Sequence, residues 1–172
     1  MNFLTIGSSV AFISYMIATA AIVTRLFHPK GPNLILVLSF GCLAIIAHTL
    51  TSTQFIFVHQ EINFSLPNVI ALVSLVITLI FTTIALKYKV NLLLPVVYGF
   101  AGLWQLIMIF IPPIAEIVLS ADKIILVTHI TLALIAYCVL IIATLYTFQV
   151  AYINFKLKSK NLSAVSHLPP LM

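Results

Sequence analysis

Charged residues are scarce in this chain of 172 residues. Asp, Glu, Lys and Arg together make up 6% of it, against roughly a quarter in an ordinary soluble domain, whereas 63% of the residues are hydrophobic. A water-soluble fold cannot hide so large an apolar fraction, because even a large soluble protein leaves part of its chain exposed. The composition therefore excludes a soluble enzyme, an extracellular disulfide-rich scaffold and a disordered binding segment. It predicts an integral membrane protein.

Acidic residues and cysteines are rarer still. The three carboxylates, Glu61, Glu116 and Asp122, all fall outside the apolar runs, so the spans lack the buried carboxylate that a proton relay usually needs. Cys42 and Cys138 form neither a CxxC pair nor a metal-ligand spacing. The sequence also has no Ser/His/Asp grouping, Gly-rich phosphate loop or paired carboxylates. We therefore expect no enzymatic turnover.

Five apolar stretches are long enough to cross a membrane. A hydrocarbon core about 30 Å thick takes roughly 20 helical residues to span. The predicted spans are residues 4–24, 33–58, 67–86, 92–111 and 123–153, followed by a polar tail at residues 154–172. The sequence therefore predicts an all-α fold, a polytopic transmembrane helix bundle that forms one domain over residues 1–172.

The basic residues predict the orientation of this bundle. Seven of them lie on the first and third connections and on the tail, whereas all three acidic residues lie on the other two connections. Lys and Arg are enriched on the cytoplasmic side of membrane proteins. We therefore expect the N-terminus outside and the C-terminus in the cytoplasm.

Two ionisable side chains, His48 and His129, lie well inside predicted spans. Such groups are costly at membrane depth and usually face a bundle interior, a cavity or a cofactor. At 1.5 Å per residue they lie roughly 15 Å and roughly 9 Å below the outer ends of their helices, so both rings could occupy one layer. Stripes of small residues let helices approach closely or leave room for a flat ligand such as a porphyrin. Each histidine lies on such a stripe: Gly41, Ala44 and Thr51 with His48, and Ala133 and Ala136 with His129.

From the residues alone, three interpretations of the histidines stay open. Each ring could simply hydrogen-bond a neighbouring helix as part of the packing. The pair could ligate the iron of haem, because imidazole is a common axial ligand. They could also take part in metal transport, since histidine binds copper and zinc. Cys42 lies about 240° around its helix from His48, so these two residues do not form one site.

The fifth span carries a recognisable run. Residues 128–137 read THITLALIAY and resemble the HIxLxxLAY run of CcsA/HemX-type cytochrome c assembly proteins, the YpjD branch in particular. Other segments fit the same pattern: Asp122-Lys123, the LYTFQ run at 145–149, the LPPL run at 168–171, and His48 in the second span.

The resemblance implies a haem-associated, multi-pass protein of the bacterial inner (plasma) membrane that takes part in c-type cytochrome assembly. It implies that haem b is held near the outer face with His129 as an axial ligand of the iron and His48 as the second. It also implies other membrane proteins of cytochrome c assembly as partners.

The chain departs from the wider family in two respects. It has a single tryptophan, Trp104, and so lacks the tryptophan-rich segment that presents haem in the wider family. The YpjD branch lacks this segment too. It stops just after Leu171, where the resemblance implies about three further helices, so we expect a C-terminally truncated or shortened member.

Two other functions stay open beside this one. A thin polar lining that includes Gln105 and His48 would suit a small membrane transporter or an ion-export accessory protein. The abrupt C-terminus would suit a structural subunit or a non-functional truncated remnant.

Overall fold

Five helices make up almost all of the structure, a computed structural model. It describes residues 3–25, 31–58, 61–87, 93–111, 118–119 and 124–158. In chain order the helices are α1 (Phe3–Val23), α2 (Leu34–Ile56), α3 (Leu66–Lys87), α4 (Leu94–Phe110) and α5 (Ile124–Lys158). The predicted fold class, an all-α bundle of five helices, is confirmed.

Four of these helices, α1, α2, α3 and α5, are long and apolar enough to cross a membrane. The fifth, α4, has 17 residues, slightly fewer than the roughly 20 that a full crossing takes. Local chemistry accounts for two helix starts. Asn33 caps α2 by accepting a hydrogen bond from the amide of Leu36, and Pro95 stands in the first turn of α4, where a missing N–H is tolerated.

The last helix is longer than predicted. We expected it to end near residue 153, but α5 continues to Lys158. No glycine or proline occurs between residues 153 and 158 to stop a helix. The remaining residues of the predicted tail, 159–172, lie outside the described residues.

A small antiparallel sheet, which the sequence analysis did not predict, joins two connections between helices. Strands β1 (Phe57–Val58) and β2 (Glu61–Asn63) lie between α2 and α3, and β3 (Val118–Leu119) lies between α4 and α5. β2 pairs with both of the others, with Ile62 opposite Phe57 on one side and Leu119 on the other. The sheet therefore brings these two connections to the same end of the bundle, called the sheet end below.

The hydrophobic core lies among α1, α2, α3 and α4. Its fully enclosed members include Ala11 and Ile22 of α1, Val37 of α2 and Ala101 of α4. In α4 the buried residues recur every three or four positions, as expected of a helix with one face toward its neighbours. In contrast, α5 packs mainly on α3.

Candidate functional site

His48 lies at the centre of the four packed helices, with none of its surface exposed. Its Nδ1 atom lies 3.2 Å from the hydroxyl oxygen of Tyr15 on α1. The two rings meet edge to face, with their centroids 5.9 Å apart. The imidazole is thus held by a specific contact between α1 and α2.

A third side chain extends this contact to α3. The Tyr15 hydroxyl lies 3.3 Å from Oγ1 of Thr78, and the Thr78 hydroxyl donates to the carbonyl oxygen of Leu75 at 2.8 Å. His48, Tyr15 and Thr78, called the His48 network below, therefore join three helices through buried polar atoms.

The other ring nitrogen of His48 has no such contact. Within the described residues, Nε2 is buried and makes no hydrogen bond. The carbonyl of Ala71 lies close to the ring, and it also accepts the Ser74 hydroxyl at 2.8 Å. Buried polar atoms are seldom left unpaired. Other atoms among the described residues share this state, including the hydroxyls of Ser8 and Ser52, but Nε2 belongs to a side chain that commonly ligates metals.

Two further polar pairs surround the His48 network and connect α4 to the other helices. The hydroxyls of Tyr98 and Thr82 lie 2.7 Å apart and join α4 to α3. The hydroxyl oxygen of Thr51 lies 3.4 Å from Oε1 of Gln105, so these side chains bring α2 and α4 into contact. The rings of Tyr98 and Tyr15 are in contact, with centroids 5.5 Å apart, so both phenols belong to one buried layer.

The small-residue stripe of α2 is filled by protein. A Cβ atom added at Gly41 would lie 2.7 Å from the Tyr98 hydroxyl oxygen, and Ala44 on the same stripe is fully buried. Of the two roles that the sequence allowed for this stripe, the structure shows close helix approach. Tyr98 occupies the space that a flat ligand would have needed there.

His129 has a different environment. It lies on α5, five residues after the helix begins at Ile124, and its side chain is exposed. No hydrogen bond or ring contact joins it to His48 in the part of the chain that the structure describes.

Their positions along the helices are nevertheless similar. His48 lies eight residues before the end of α2 at Ile56, and His129 lies five residues after the start of α5. These separations correspond to about 12 Å and about 7.5 Å from the sheet end. The two histidines thus lie at similar heights, one enclosed and one exposed.

The remaining candidates offer no alternative metal centre. Cys42 is exposed and Cys138 is buried, and both are free thiols. Among the residues that the structure describes, no group of three or more His, Cys, Asp or Glu side chains could hold a metal ion.

One cleft lies between α3, α4 and α5. It has a volume of about 240 Å³, and its lining is apolar apart from Ser74: Ile77, Val96, Val97, Phe100, Ile141 and Leu145. Typical small-molecule pockets start near roughly 300 Å³ and carry a few converging polar groups. The cleft therefore does not suit a porphyrin, and neither histidine lines it.

Sequence reasoning missed Tyr15 and Thr78. A signal for Tyr15 was present, because it is the only aromatic residue on a stripe formed with Ala11, Ala18 and Ile22 at helical spacing. Thr78 gave no signal, since it is one of many hydroxyl residues in the spans.

The sequence of this chain matches a known protein family and several known proteins. The family model described as cytochrome C assembly protein matches residues 36–172, a range that contains both histidines. The chain is 35% identical over 164 residues to "Inner membrane protein YpjD" of Escherichia coli K12 and, with the same figures, to that of Escherichia coli O157:H7. The match covers 94% of this chain and 62% of each relative, so the chain spans less than two thirds of their length. No solved structure matches the chain.

Proposed function

Because the chain belongs to the cytochrome c assembly protein family, we propose that it is a haem-associated, non-enzymatic membrane component of c-type cytochrome biogenesis. In this proposal His129 and His48 are the two imidazoles that hold haem b near the outer face of the membrane. Its partners are haem and other membrane proteins of the same assembly process.

The observation that best supports haem handling is the unpaired Nε2 atom of His48. A buried polar atom without a partner costs about 1–3 kcal/mol, and in this core it belongs to a side chain that commonly ligates haem iron. The donor atom is of the kind that ligates iron, whereas the stripe beside Gly41 has no space for a porphyrin because Tyr98 fills it.

The exposure of His129 supports its role as the first of the two proposed ligands of haem iron. An exposed imidazole on a lightly packed helix is accessible without rearrangement of the core. Haem b, when bound, supplies the iron-porphyrin that becomes the prosthetic group of c-type cytochromes. The side chains of this chain bind and orient that group.

Absorption spectroscopy tests this proposal. The detergent-solubilised protein, titrated with haem, should give a Soret band that His129→Ala abolishes or shifts and that His48→Gln weakens. His28→Ala is a control, because His28 lies on the first connection, away from the spans. Circular dichroism of each variant verifies that the helices are intact.

A cellular measurement completes the test. Cells that carry His129→Ala in place of the wild-type protein should contain less c-type cytochrome. The proposal fails if the wild type shows no Soret band and cytochrome levels stay unchanged. Metal or solute flux through liposomes that contain the protein would instead support the transporter alternative.

A further inference from the structure

We propose that Thr78 and Tyr15 are positioning residues that fix the tautomer of His48, with the ring proton on Nδ1 and a bare lone pair on Nε2. The identity of the ligand that Nε2 takes, haem iron, rests on the proposed function. The tautomer itself rests only on the hydrogen bonds of the His48 network.

The direction of these hydrogen bonds is set at Thr78. A threonine hydroxyl has one proton to donate, and that of Thr78 goes to the Leu75 carbonyl at 2.8 Å. Toward Tyr15, 3.3 Å away, Thr78 can therefore only accept. The proton between these two hydroxyls must come from Tyr15.

The same reasoning applies one step further along. The phenol of Tyr15 also has a single proton, which is already directed to Thr78. Toward His48 its oxygen can only accept, so the contact at 3.2 Å requires a proton on Nδ1. Because a neutral imidazole carries one N–H, Nε2 is left without a proton.

The opposite tautomer would leave a contact unsatisfied. If Tyr15 donated to Nδ1, no proton would lie between the oxygens of Tyr15 and Thr78. His48, Tyr15 and Thr78 all have 0% of their surface exposed, so bulk water cannot replace the lost hydrogen bond.

The fixed tautomer has a chemical consequence. In metal sites, the hydrogen bond made by one ring nitrogen decides which nitrogen is available to the metal. The network holds His48 with its lone pair on the nitrogen that has no partner. Two hydroxyls on other helices thus prepare the imidazole for an electrophilic ligand such as iron.

Nitrogen NMR of protein labelled with ¹⁵N-histidine tests the tautomer without any haem. The His48 signals, assigned by their absence in His48→Asn, should show a protonated Nδ1 and a bare Nε2. Thr78→Val removes the acceptor, which frees the Tyr15 proton to point to Nδ1. In this variant the ring proton should move to Nε2.

Two variants serve as controls. Thr78→Ser keeps the hydroxyl and should keep the wild-type tautomer. Tyr98→Phe removes a phenol hydroxyl from the same core, one that bonds Thr82 rather than His48, and should also leave the tautomer unchanged. A protonated Nε2 in the wild type, or an unchanged tautomer in Thr78→Val, would overturn the proposal.

Haem titration of the same variants separates this inference from the proposed function. Loss of a partner that orients a metal-binding histidine typically weakens binding 10–100-fold. Thr78→Val should therefore bind haem at least about tenfold more weakly than Thr78→Ser or Tyr98→Phe. If the NMR result holds but the wild type binds no haem, the proposed function fails while the tautomer assignment stands.

Discussion

The first four helices and the last one are held in very different ways. In the membrane-length portions of α1, α2 and α3, 33%, 39% and 50% of the residues are buried, against 11% in that of α5. Between helices in a membrane there is little hydrophobic driving force, so packing and hydrogen bonds hold them together. The α1–α4 unit has both kinds of contact, and α5 is attached chiefly by a narrow face.

The side chains that make these contacts follow the same division. Leu134 and Cys138, four residues apart on α5, are buried members of the common core, and Ile142 and Leu145 pack against it from the same helix. The hydroxyls of Thr144 and Thr147 on the same helix donate to carbonyls of their own helix. The comparison indicates that the folding energy of the described residues lies mainly in α1–α4.

Replacing one phenylalanine in α1–α4 and one in α5 should give the largest difference in stability between the two regions. Phe81 on α3 is 3% exposed and Phe148 on α5 is 69% exposed. Phe81→Ala should lower the free energy of unfolding by about 3–5 kcal/mol, because it leaves a cavity in the core. Phe148→Ala leaves no cavity and should cost less than about 1 kcal/mol. Denaturant titration in detergent micelles measures both, and equal losses would contradict the division.

Replacing either of two glycines by alanine should give a smaller difference in stability. A Cβ atom at Gly41 would lie 2.7 Å from the Tyr98 hydroxyl, whereas one at Gly99 would meet nothing within 4 Å. Gly41→Ala should therefore destabilise the protein by about 1–3 kcal/mol through overpacking. Gly99→Ala should be neutral or slightly stabilising, since alanine favours the helix. Thermal unfolding checks this pair, and a neutral Gly41→Ala would show that Tyr98 can move aside freely.

The smallest expected effect concerns how α5 is attached to the other helices, and the labelling rates of the two cysteines should detect it. Cys42 is exposed and Cys138 is buried, so a small maleimide in detergent should label Cys42 faster. In Cys42→Ser protein, Leu134→Ala should speed labelling of Cys138 several-fold without a matching loss in overall stability. Mass spectrometry over time measures both rates. If wild-type Cys138 reacted as fast as Cys42, α5 would not be attached through the face that carries Leu134 and Cys138.

The five helices could be predicted because their apolar runs are long and bounded by prolines and charges. The family resemblance seen in residues 128–137 is confirmed by the family match, and the predicted inner-membrane location is confirmed by the relatives' name and the apolar helices. The small sheet could not be predicted, since Ile62 and Leu119 pair across more than fifty residues. Only the packing of the helices brings those connections together.

The candidate site was likewise predictable only where the signal lies in the chain itself and not in how the helices pack. His48 and His129 are conspicuous as the histidines inside the spans, and their ligation of haem stays a prediction. Tyr15 and Thr78 could not be assigned to His48, because their meeting depends on how three helices are rotated against one another. A hydroxyl partner in a membrane core is specified by that rotation and not by its neighbours in the chain.

The small sheet also limits how far His129 can travel. β3 ends at Leu119, and only four residues separate it from the start of α5 at Ile124, so backbone pairing tethers that end of the helix. His129 lies about 7.5 Å from Ile124 along the axis, and Lys158 lies about 51 Å from it. A swing of α5 about its tethered end would displace His129 by only about one seventh of the distance that Lys158 moves.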